Sequence, residues 1–475
     1  MLLSKVLQDQ NDGMDVNRQY VDILLHDDFP IICVNRKAQK KKLITFRILY
    51  EHNNKFWQRS ESWEYYLAGK EQDKLKEISA ERQYKGGHSS PAEKKAKPKH
   101  AKDGETLEKQ EAVPGFGNEY KVFAEMPTVE KIKYLNSNKQ RLSELISHKP
   151  KDVIVVAEAL VDTTKDAALI NHAALEEAIR LGDDEAKKLT QDIVDSTHEM
   201  VRTSAQLVAE NVFDNELVDD LVKKSNGTIV QHMTRVYLNG IAFLSYYNNL
   251  VSTSSAIQKL RITFATKYRN YYHNLLPHIP IERIVLERVF LGGMRAITPD
   301  LYYKWAVGFL VHDIGKAAAV EYHEGEAKYN RDIVIEHVKL GYKSIMNKTN
   351  YPMEASLITG YHHEYYGDPD GYGYFRAYLQ QYKKLNPDAK QDYVITYDLE
   401  PILDYKALAY FPAKVLEIVD VYDSVTDPHR AYRKAMTPDD ALTMMRAEFV
   451  KKHLKVDPIL FDIFDAFIHN KHKGK

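Results

Sequence analysis

Cysteine is almost missing from this chain: 475 residues contain one, Cys33. That excludes an internal disulfide and any zinc site built on cysteine. No base lies near Cys33 in sequence, so it reads as a small buried apolar side chain rather than a nucleophile. Long apolar runs are missing too. No stretch approaches the roughly 20 residues that cross a bilayer, and the opening "MLLSKVLQDQNDG" is too short and polar for a secretory signal. The chain is therefore expected to be cytoplasmic, without a membrane span. It also lacks an excess of either charge: the net charge is −1 at pH 7, so no global field favours a nucleic-acid polymer or an anionic membrane. Any anion-binding surface has to be local.

The length predicts two to four domains, and 44% hydrophobic with 28% charged residues is enough apolar material to give them cores. Residues 1–84 contain the short apolar runs "FPIICV" and "LITFRILYE", which read as strands, and "SESWEYYLAGKEQDKLKEI", whose spacing reads as helical. A small α+β domain is expected there, with a regulatory or localising role. Residues 85–116, including "GGHSSPAEKKAKPKHAKDGETLEKQE", have almost no large apolar side chains and read as a charged flexible linker. From 117 onward the pattern is helical nearly everywhere. Residues 117–225 read as a helical segment and 226–475 as a helical domain that holds most of the unusual residues. The fold class expected is mainly α.

Those residues sit in apolar surroundings. "WAVGFLVHDIGKAAAV" carries His312, Asp313 and Lys316; "VIEHVKLGY" carries His337; "VLEIVDVYDSVT" carries Asp420 and Asp423; "TIVQHMTRVYLNG" carries His232. Burying such groups is costly unless they are paired or bound to metal. A lone histidine on an apolar helix is more often a core residue than a ligand. These elements, with His362-His363 between them, all fall within one helical region, which makes independent core roles a poor account. His26-Asp27 in "LLHDDF" has no such company and reads as a loop. Imidazole and carboxylate together suit Fe, Mn or Zn. A carboxylate such as Asp313 can bridge two ions, an arrangement that serves hydrolysis of phosphoesters.

The stretch "HHEYYGDPDGYGYFR" (362–376) tests a rival cation. Counting an EF-hand loop from Asp368 puts Gly373 at the sixth position, but Leu379 stands at the twelfth where a bidentate Glu is needed. The loop reads instead as a glycine-hinged wall beside His362 and His363.

In order and in most spacings, "HDIGK" (312–316), "HVKLG" (337–341), "HHE" (362–364), "DGYGY" (370–374), "DVYDSVT" (420–426) and "RAYRKA" (430–435) resemble the HD-GYP family of bacterial metal-dependent phosphohydrolases, part of the HD superfamily. The resemblance covers roughly 226–475. It implies a helical HD-type catalytic domain and two divalent ions, Fe or Mn, that share Asp313. His232, His312, Asp313 and Asp420 would hold one ion; Asp313, His337, His362 and His363 would hold the other. It further implies a catalytic role for Asp313 and for Lys316, which would face the phosphate or a bridging hydroxide. Arg430 and Arg433 or Lys434 would clamp phosphate oxygens, while Tyr372 and Tyr374 would offer faces for guanine stacking. The implied reaction is hydrolysis of cyclic di-GMP, with either pGpG or, after a second cleavage, GMP as the end product. Two alternatives remain: a relative that cleaves another cyclic nucleotide, and a catalytically silent sensor. A homodimer or a signalling partner would engage through the N-terminal half.

The chain departs from the family pattern in four places. Three extra residues separate "HHE" from "DG", Phe375 stands where the pattern has Pro, one residue is inserted before "YRKA", and Thr228 occupies the place of an optional Glu. The interval between His232 and His312 is also long, and "YRNYYHNLLPHIPIERIVLERVFLGG" within it reads as an inserted helical element.

Overall fold

In the computed structural model, the residues described are Leu24, 30–35, 40–46, 63–67, 117–148, 152–210, 221–222, 228–318, 331–366, 371–427 and 434–472. The expected linker at 85–116 and the His26-Asp27 loop lie outside them. The chain divides into two compact units. One comprises Met1–Glu111, Tyr378–Ala389 and Leu403–Tyr405; the other comprises Ala112–Ala377, Lys390–Ile402 and Lys406–Lys475.

The first unit holds a three-stranded antiparallel sheet. β1 (Pro30–Asn35) lies between β2 (Lys40–Thr45) and β3 (Trp63–Leu67). Ile31 pairs with Leu67 across the β1–β3 ladder, and both are buried together with Leu24 and Phe46. Cys33 sits mid-strand opposite Lys42 and Tyr65; the burial of its side chain is outside the described features. The helical expectation for "SESWEYYLAGKEQDKLKEI" fails at its start, where "WEYYL" is β3. Aromatic residues favour a pleated surface, and pairing with β1 overrides the weak helical spacing.

The second unit is mainly helical. Its first part is α1 (Gly117–Glu125), α2 (Thr128–His148), α3 (Val153–Ile179) and α4 (Asp183–Glu210). Next come α5 (Thr228–Val251), α6 (Ser254–Lys267), α7 (Arg269–Leu275) and the short α8 (Leu286–Val289). They are followed by α9 (Pro299–Val311), α10 (Gly315–Ala318), α11 (Arg331–Lys348) and α12 (Met353–Tyr361), whereas α13 (Arg376–Leu385) falls from Tyr378 onward in the first unit. The remainder is β4 (Tyr393–Thr396), α14 (Glu400–Leu403), β5 (Ala407–Tyr410), α15 (Phe411–Thr426), α16 (Pro438–Met444), a π-helical turn (Met445–Lys452) and α17 (Pro458–His472). Among the described residues no helix is long and apolar enough to cross a membrane.

Helix α3 explains how this unit closes. Asp152 caps its first turn by accepting from the Ile154 N–H at 2.9 Å. Beyond the first turn its small and apolar residues are buried on nearly every side, the pattern of a central helix. Accordingly α3 packs against α2 and α4 and also against α5, α9, α10 and α11. The helices of 117–210 thus belong to the same compact unit as those from 228 onward.

Two features of 226–475 escape the helical pattern. β4 and β5 form a parallel pair with Ile395 opposite Ala409, and a four-residue apolar run is too short for its period to distinguish strand from helix. The interval between His232 and His312 is helical, as expected. There Tyr268, Tyr271 and Tyr272 donate to Asp462 (2.5 Å), the Val456 carbonyl (3.1 Å) and Asp457 (2.8 Å), so α7 is fastened to the start of α17.

Candidate metal centre

Five helices and one tight turn bring the unusual residues together. Helix α9 begins with Thr298 as N-cap and Pro299 in its first turn, and ends at His312. The chain then turns through Asp313 into α10. That turn needs Gly315, because a Cβ there would lie 1.9 Å from the His337 carbonyl oxygen and 2.5 Å from the Gly341 amide. The glycines of "HDIGK" and "HVKLG" therefore let two backbones touch, which is what sets Asp313 beside His337. His232 comes from α5, His362 closes α12, and Asp420 comes from α15. Helix α5 packs on α9 and α15, and α12 packs on α9, α11 and α15.

The donors fall into two clusters, His232 with His312 and Asp420, and His337 with His362 and His363. Within each, one atom per residue lies within 4.8 Å of the others. All six side chains are buried. Asp313 stands between the clusters and offers one oxygen to each. Its Oδ1 is 3.2 Å from His337 Nε2, while its Oδ2 is 3.4 Å from His232 Nε2 and 3.5 Å from His312 Nε2. Lys316 Nζ donates to the same Oδ2 at 2.5 Å.

The imidazoles are aimed. His312 Nδ1 and His362 Nδ1 donate to the Phe309 and Thr359 carbonyls at 2.9 and 2.7 Å. His232 Nδ1 donates to Asp423 Oδ2 at 2.6 Å. Fixing one ring nitrogen in this way turns the other toward the centre, which is how ligating histidines are oriented. Among the described residues, His312 Nε2, His362 Nε2 and His363 Nδ1 are buried with no hydrogen-bond partner. Leaving such a group unsatisfied costs about 1–3 kcal/mol each, a cost that a bound cation would remove. The donor set fits divalent transition metal: imidazoles and carboxylates, buried and convergent.

Electrostatics agrees with that fit. Burial pushes His312 and His363 below the ordinary imidazole range and His362 down to about 3, so these rings are in the neutral, ligating form. Burial alone would raise Asp313, but Lys316 and the surrounding histidines outweigh it and hold the carboxyl well below its usual range. Asp420 is also held low against burial, chiefly by His232. Around His232 itself, burial is outweighed by hydrogen bonds to Asp313, Asp420 and Asp423, which raise its affinity for a proton. A cation taking Nε2 would displace that proton.

Residues outside the ligand set separate into three groups. Tyr372 lies over His363, with ring centroids 4.3 Å apart and planes at 30°. Tyr374 turns away, packing on Tyr342 at 4.9 Å. Of the expected phosphate clamp, Lys434 is exposed, while Arg430 and Arg433 lie outside the described residues. Phe375 is buried and stacks on Tyr361 at 4.5 Å. This ring anchors the loop where the family pattern has Pro. Gly373 permits the loop's approach, since a Cβ there would lie 2.2 Å from Glu364 Cγ.

Sequence reading missed the partners behind the ligands. Asp423 was visible only as a carboxylate one turn beyond Asp420, and Arg235 as a cation one turn beyond His232. The i,i+3 spacings in "DVYD" and "HMTR" were the available signals. His172, on α3 and fully buried, has Nε2 3.3 Å from Met233 Sδ, directly behind His232 in sequence; no motif marked it.

Comparison with protein-family models, curated proteins and solved structures gave no match.

Proposed function

We propose that the chain is a metal-dependent phosphodiesterase of the HD-GYP type, which hydrolyses cyclic di-GMP to pGpG with two iron or manganese ions. One observation carries the reading: the Asp313 carboxylate presents one oxygen to each of two buried histidine clusters. The order of the motifs from "HDIGK" to "RAYRKA" supports the family.

His232, His312, Asp313 and Asp420 would hold one ion, and Asp313, His337, His362 and His363 the other. Bound there, the ions would supply Lewis-acid polarisation of a phosphoryl group and activation of water at neutral pH. The protein's own part is positional. Carbonyls and a carboxylate fix the rings of His312, His362 and His232, so little reorganises when charge develops. Lys316 orients Asp313 and supplies positive charge beside an incoming phosphodiester. Tyr372, half-buried over His363, gives a flat face for a base.

The test is to load purified protein with Mn²⁺ or Fe²⁺, incubate it with cyclic di-GMP and resolve the products, with Asp313→Ala as control. pGpG formed by the wild type and absent with the variant supports the reading. Two bound ions without turnover overturns the substrate. In that case a different cyclic nucleotide, or a sensor role, gains weight from the Phe375 anchor, which holds the loop against Tyr361.

A further inference from the structure

We infer that Asp423, held by Arg235, is a positioning residue for the ion at His232, His312 and Asp420, and that it acts through His232. The inference rests on the metal-centre reading above and extends it to residues that hold no ion themselves.

The argument starts from helix spacing. Asp420 and Asp423 lie one turn apart on α15, and His232 and Arg235 one turn apart on α5, so each pair shares a helix face. When α5 and α15 pack together, one imidazole is gripped at both ends. Asp420 Oδ1 is 3.0 Å from His232 Nε2, and Asp423 Oδ2 is 2.6 Å from His232 Nδ1. The ends are not equivalent. Arg235 forks onto Asp423, with Nε to Oδ1 at 2.5 Å and Nη2 to Oδ2 at 3.2 Å. The same guanidinium reaches Asp427 Oδ2, at the C-cap of α15, at 2.9 Å. A carboxylate gripped in this way can only accept, so Nδ1 keeps its proton, and it is the proton on Nε2 that a cation would displace to take that lone pair.

The network has a thermodynamic implication. His232, Arg235, Asp423 and Asp427 are all buried, between 2% and 3% exposed. Burying ionised groups costs more than packing apolar side chains of the same volume. A lock between two helices alone would be served as well by leucines. What apolar packing cannot do is fix a ring's tautomer and angle.

The experiment titrates metal-free protein with Mn²⁺ against a chelator and counts bound equivalents by atomic emission. The set comprises wild type, Asp423→Asn, His232→Gln and the double variant. The wild type is expected to bind two ions. Asp423→Asn should weaken one of them by about 10–100-fold, the usual effect of losing an outer partner, and leave the other unchanged. In the His232→Gln background, Asp423→Asn should cause no further loss, because its effect passes through the ring. An undiminished effect in that background, equal weakening of both ions, or unchanged affinities would each overturn the inference. A wild type that binds no Mn²⁺ would overturn the metal-centre reading and this inference with it. Should melting curves show Asp423→Asn unfolded, Arg235→Lys carries the same cycle, since it keeps the charge but breaks the fork.

Discussion

The two clusters of the centre face each other across Asp313 but are built from different parts. One joins two imidazoles to the carboxylate of Asp420, and its His232 is backed by Asp423 and Arg235. The other is three imidazoles, with His362 oriented by a main-chain carbonyl and His363 covered by the Tyr372 ring. A carboxylate donor and a charged outer shell raise the negative potential at the first cluster. Beyond the shared Asp313, the second offers only imidazoles, a softer and less charged donor set. If each cluster holds an ion, as proposed, the two should not be held equally: the first should retain its ion longer, and the second lies under the aromatic face of Tyr372.

The sharpest way to break this comparison is to remove what the clusters share. Asp313→Ala should release both ions and abolish turnover, as metal analysis and product formation would read; retention of both ions would show that the carboxylate does not bridge. The next largest effects separate the clusters. Asp420→Asn and His362→Gln should each cost one equivalent of metal, and the ion that remains in His362→Gln should resist chelator longer than the ion that remains in Asp420→Asn. Identical chelation rates would erase the proposed asymmetry.

Gly315→Ala probes the geometry that brings the clusters together. Its new methyl would press on the His337 carbonyl, so a loss of roughly 1–3 kcal/mol in denaturant unfolding is expected. Weaker metal binding should accompany it.

The smallest effect concerns a buried carboxylate that serves neither cluster. Asp423 is held at about 2 because Arg235 outweighs its burial, whereas burial pushes Asp457 up to about 6. The folded chain thus keeps a proton on Asp457 that the unfolded chain gives up above about pH 4. That contribution to stability is present at low pH and is lost as pH rises through 6. Asp457→Asn retains an oxygen to accept from the Ile459 and Leu460 amides that Asp457 now caps. It should flatten this part of the stability profile, with the Tyr272 and Tyr366 hydroxyls, which donate to the other oxygen, turning to accept from the new amide. An unchanged profile would mean that another group carries the slope.

The legible part of this protein was whatever its chemistry made conspicuous. Histidines and aspartates in apolar helices stand out because burying them unpaired is costly, and the seven ligand candidates, with Lys316, do converge. Strand β1 follows its apolar run, while β2 takes in only the first three residues of the other. What was not legible depended on neighbours far away in sequence. "WEYYL" became a strand through pairing with β1, which local spacing does not encode. Arg235 and Asp423 are 188 positions apart, and nothing local marks them as partners. Tyr372 and Tyr374 look alike in sequence, yet one lies over a ligand and the other packs on Tyr342.

The sequence by itself determined the mainly helical class and the pool of donor atoms, because period and residue chemistry are local properties. Tertiary structure alone decided how those donors divide into two clusters, which imidazole nitrogen each one presents, and which carboxylate stands behind His232. Those outcomes depend on how closely helices approach, and that distance is set where the bare backbones of Gly315 and Gly341 meet across the fold.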